Sequence, residues 1–103
     1  MRSTEHDVAD AVLQVLAKYP NGEAPIGAIV KAIPDYIKLT DEDRTQSKTR
    51  PNEEIWEQQV RNITSHKASP GNFICEGFLE SIKGGLKITD VGRLRLKHKG
   101  LHP

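Results

Sequence analysis

A single cysteine, Cys75, in 103 residues excludes an internal disulfide and leaves no Cys/His cluster at metal-ligand spacing. No apolar run approaches the roughly 20 residues that a spanning helix needs, so a membrane span is excluded. The four histidines, His6, His66, His98 and His102, are too scattered to suggest a site. The N-terminal stretch MRSTEHDVADAVLQVL carries acidic residues and helical periodicity where a secretory signal needs a basic start and an unbroken apolar core. A cytoplasmic protein is therefore expected, with no cofactor and no metal. The acidic run Asp41-Glu42-Asp43 lacks the spaced acid and lysine set of a metal nuclease and is expected to be a solvated turn. Cys75 has no neighbouring His and base to activate it, and is expected to be a small buried residue.

The length suits one modest core and is too short for two, so residues 1–103 are expected to form one domain. The net charge of +1 hides an asymmetry. Residues 1–54 hold seven Lys/Arg against ten Asp/Glu, a balance of −3, whereas residues 55–103 hold eight against four, a balance of +4. Basic charge in the second half is compatible with a nucleic-acid partner and equally with a solvated surface.

Periodicity orders the chain. Ser3 or Thr4 can cap a first helix in which Val8, Ala11, Val12, Val15, Leu16 and Tyr19 recur at three- and four-residue intervals. After the turn Pro20-Asn21-Gly22, Ala24-Pro25 is expected to open a second helix carrying Ile26, Ile29, Val30 and Ile33, which Pro34 ends. Residues 40–52 are almost wholly polar. Asn52 can cap a third helix running to about Lys67, with Glu53 and Glu54 at its positive end. Phe78–Ile82 alternates as a strand, Lys83-Gly84-Gly85 turns the chain, and residues 86–89 return as a second strand. Thr89 or Asp90 then caps a short helix with Val91, Leu94 and Leu96. Three helices, a glycine-tipped hairpin and a short C-terminal helix are the layout of an α+β winged helix-turn-helix.

On the third helix, Trp56, Val60 and Ile63 fall on one face, expected to be the core face. Gln58, Arg61, Asn62 and Ser65 fall opposite. An arginine with side-chain amides is the equipment for paired hydrogen bonds to guanine and adenine edges in a major groove. These four are the candidate base readers, and Lys48, Arg50, Lys67, Lys83 and Lys87 the candidate phosphate anchors, which position without specifying sequence. Trp56 admits two placements: the start of the core, or a ring partly exposed beside the DNA face.

LTDEDR (39–44), the helix TRPNEEIWEQQVRNITSHK (49–67), FLES (78–81), GGLKIT (84–89) and ITDVGRLRL (88–96) together resemble the winged-helix domain of Mrr-like, modification-dependent restriction endonucleases. The likeness covers roughly residues 8–97. It implies a duplex-DNA module that in such proteins is fused to an HNH or PD-(D/E)XK nuclease, no trace of which is in this chain, so no enzyme activity is expected of it. It also implies adenine-methylated DNA as a ligand, with Trp56 and Pro51 as the apolar surface for the methyl group and Asn52 or Asn62 bonding the remaining base edge. Rival expectations are a protein-docking winged helix and a transcription regulator.

Overall fold

The computed structural model describes residues 5–37, 39, 44 and 53–99. The expected caps Ser3, Thr4 and Asn52, the acidic run 41–43, and the candidate contacts Lys48, Arg50 and Pro51 lie outside the described residues.

Helix α1 (Glu5–Ala17) is the hub of the core. Val8, Ala11, Val12, Val15 and Leu16 are buried as their spacing predicts, but so are Ala9 and Leu13, which lie off that stripe. A helix apolar around much of its circumference must be covered on several sides. α1 accordingly packs against α2 (Ile26–Ala32), α3 (Ile55–Ser65), β3 (Gly85–Ile88) and α4 (Asp90–Lys99).

The structure corrects the expectation at Ala24-Pro25. These residues belong to a strand, β1 (Glu23–Pro25), antiparallel to β3 with Ala24 opposite Leu86 and Pro25 opposite Gly85. Pro25, at φ −69°, ends the strand and serves as the N-cap of α2, a place where its missing amide costs no ladder bond. The close approach depends on Gly85, since a Cβ there would run into the Ala24 carbonyl. α2 buries Ile29 and passes into a 3-10 turn, Ile33–Asp35, that contains Pro34 and buries Ile33.

After α3 the chain turns on Asn72, which is itself buried. Its side-chain amide donates to the Ile63 carbonyl at 2.9 Å, and its oxygen accepts from the Ile74 amide at 2.8 Å. Strand β2 (Leu79–Ile82) pairs with β3 across Lys83-Gly84, where Gly84 takes φ +74°, a conformation open to glycine at little cost. The sheet order is β1-β3-β2, all antiparallel. Thr89 caps α4, its hydroxyl oxygen accepting from the Gly92 amide at 3.0 Å. α4 buries Leu96 but leaves Val91 and Leu94 exposed. It is tied to α1 by Arg95, whose Nε and Nη2 donate to the Asp10 carboxylate at 2.8 and 3.2 Å. The same guanidinium lies 4.7 and 5.1 Å from the ring centres of Phe73 and Phe78.

The described architecture is α+β: four helices and one small three-stranded antiparallel sheet around a single core. Among the described residues no helix is long and apolar enough to cross a membrane.

Candidate functional site

α3 starts at Ile55, later than its acidic first turn suggests. Glu54 takes the N-cap position in extended conformation (φ −82°, ψ 161°), so Asn52 is not the cap. The Glu54 carboxylate accepts from the Glu57 backbone amide, and the Glu57 carboxylate accepts from the Glu54 amide at 3.1 Å. This reciprocal pair is the capping box. The helix ends at Ser65, with His66 as C-cap, and Lys67 lies just past it.

Trp56 sits in the core at 5% exposure, and its Nε1–H donates to a Glu54 carboxylate oxygen at 2.8 Å. A buried indole whose one polar atom is already bonded offers no surface to a base methyl group or a sugar. The partly exposed placement is thereby corrected, and Trp56 leaves the set of contact residues.

The outer face of α3 presents Arg61, Gln58 and Asn62, all half-buried, and Ser65, which is exposed. Arg61 is the longest reach on that face, and its side chain is 41% exposed. Its Nε–H donates to the carboxylate of Glu53, which stands just before the cap. Arg44 approaches Glu54 at 3.5 Å. The carboxylates at the head of α3 are thus each engaged: Glu53 with Arg61, Glu54 with Trp56 and Arg44, Glu57 with the cap amide. The helix therefore presents less uncompensated negative charge than its sequence suggests.

Between α3 and the hairpin runs an open groove of about 260 Å³. Arg61, Thr64 and Ser65 line it from α3, Ser81 and Ile82 from β2, and Ile26 from the head of α2. A guanidinium and three hydroxyls beside two isoleucines make a surface able to bond a polar edge and to pack on a small apolar group. Of the four candidate base readers, Arg61 and Ser65 line this groove, whereas Gln58 and Asn62 do not.

The candidate anchors separate. Lys67 and Lys83 are exposed, Lys83 in the turn that closes one end of the groove wall. Lys87 alternates with Leu86 and Ile88, which are buried, and so points from the outer face of the sheet. There its cross-strand neighbours are Glu23 and Glu80. Two carboxylates flanking one ammonium offset its charge toward a phosphate. Cys75 is exposed, contrary to expectation.

Residues the sequence did not single out are Glu53, Thr64, Ser81, Ile26 and Ile82. Thr64 follows from helical spacing beside Arg61, and Ser81 from strand alternation with Leu79. Glu53 gave no signal beyond a first-turn acid. Among the described residues there is no group of three or more His, Cys, Asp or Glu that could hold a metal ion. Comparison with family models, curated proteins and solved structures finds no match to this chain.

Proposed function

We propose that this chain is a winged-helix module that binds duplex DNA, with α3 in the major groove and the β2–β3 hairpin as the wing beside the backbone. The supporting observation is the groove itself: Arg61, Ser65 and Thr64 open toward Ser81 and Ile82 beside the turn of the hairpin, which carries Lys83. The order α1, β1, α2, α3, β2, β3 with strands arranged β1-β3-β2 suits that assignment. Base edges in the major groove meet the arginine and hydroxyls, while the wing and the end of α3 supply Lys83 and Lys67 to phosphates. The resemblance to Mrr-like restriction proteins extends the proposal to a specificity module whose nuclease lies in another domain, and to a preference for methylated adenine. With Trp56 buried, the apolar contact for such a methyl group falls to Ile26 and Ile82 in the groove.

The test is a titration of short duplexes, each with and without adenine or cytosine methylation, at rising salt. The proposal requires affinity that falls steeply as salt rises. Lys83→Ala should weaken all sequences alike and flatten the slope. Equal affinity for methylated and unmethylated duplexes would remove the methyl preference and leave plain DNA binding.

One observation favours a second proposal, a protein-docking winged helix. Val91 and Leu94 are 49% and 53% exposed on α4, and with Phe78 they line a shallow apolar depression. An apolar protein contact there would be nearly indifferent to salt, which separates it from phosphate binding.

A further inference from the structure

We infer that Glu53 is a positioning residue that sets Arg61 as a guanine reader, an inference that rests on the DNA-binding proposal above. Glu53 and Arg61 are eight residues apart, so the pair is not one of the three- or four-residue neighbours that decorate any helix surface. It forms because Glu54 is extended at the cap, which sets Glu53 off the helical path beside the outer face.

The geometry of the bond matters more than its existence. Glu53 takes the Nε–H of Arg61, and among the described residues nothing else is bonded to the two terminal amines of the guanidinium. A guanidinium is flat, so fixing Nε fixes the plane and direction of the remaining fork. Guanine offers two acceptors, N7 and O6, to such a fork in the major groove. Adenine offers N7 beside an amino donor, which would set donor against donor. The Glu53 side chain is 16% exposed and that of Arg61 41% exposed, so the anchored end is the more sheltered and the reading end the more open. A long side chain already held in place also loses less freedom on binding than one that must be ordered at the interface. Glu53 thus confers selectivity while touching no base. It also cancels part of the charge that would draw Arg61 to a phosphate instead.

The experiment is selection from short duplexes randomised over their central positions, carried out in parallel with the natural chain and with Glu53→Ala, Glu53→Gln and Arg61→Lys. Thermal melting of each variant is measured alongside. The natural chain should select guanine at one position of its site. Glu53→Ala should lower that preference by about tenfold, the discrimination one bidentate contact supplies, without weakening binding to duplexes that lack the guanine. Glu53→Gln keeps an oxygen that accepts the Nε–H and should retain part of the preference. Arg61→Lys keeps the charge without the fork and should lose it. A purely structural Glu53 would instead lower affinity for every duplex together with the melting temperature. Guanine selection that survives Glu53→Ala, or its absence in the natural chain despite tight binding, overturns the inference and leaves DNA binding standing. Recovery of no duplex by the natural chain overturns both.

Discussion

α3 and α4 flank the same hairpin, yet they use their surfaces in opposite ways. α3 buries Trp56, Gln59, Val60 and Ile63 on one side and turns polar residues outward, as its periodicity requires. α4 buries Leu96 and leaves Val91 and Leu94 in solvent. The difference is one of neighbours. α3 is packed by α1 and α2. α4 is held through Leu96 and Arg95 toward α1, and the described residues place nothing over its other side. Apolar spacing therefore reports burial only where a second surface is present to receive it. Charge divides the two helices as well. The carboxylates of α3 are bonded within the protein, whereas α4 exposes Arg93 and Lys97 with Asp90 as its one acid.

The largest expected effect is on the packed side. Trp56→Ala should destabilise the fold by about 3 to 5 kcal/mol in denaturant unfolding, because it opens a cavity and strips Glu54 of a donor. On α4, Leu96→Ala should cost about 2 to 5 kcal/mol by the same measurement. Arg95→Ala should cost about 1.5 to 3 kcal/mol, since it leaves a sheltered Asp10 without its two charge-assisted bonds. Arg61→Ala should lower stability by about 1 kcal/mol, because it takes from the sheltered Glu53 carboxylate its bond to the guanidinium, and should weaken binding to the preferred duplex by about 1 to 3 kcal/mol. The smallest effect belongs to the uncovered face. Leu94→Gln should change stability by no more than about 0.5 kcal/mol. A larger loss would mean that α4 is covered after all, and the contrast between the helices would fail.

Much of this was legible before any coordinates. The hairpin, its glycine turn, the core stripe of α3 and the outward position of Arg61 all follow from periods of two and 3.6 residues. What escaped is non-local. β1 is three residues long and contains a proline, and only the partner strand β3 makes it a strand. Leu13 lies off the apolar stripe and is buried because α1 is surrounded. Lys87 reads as a basic residue near a wing until the register sets Glu23 and Glu80 beside it. The pairing of Glu53 with Arg61 depends on the extended backbone of Glu54, which no residue spacing records. Val91 and Leu94 look like core residues because nothing local says that α4 has a free side.

Nuclear magnetic resonance of the isotope-labelled chain, titrated with short duplex DNA, tests most directly which helix meets the partner. The account predicts amide shifts along the outer face of α3, from Gln58 to Ser65, together with Ser81 to Gly85 at the hairpin. The amides of Val91, Leu94 and His98 should stay in place. Shifts confined to α4, or none at any DNA concentration, would contradict it.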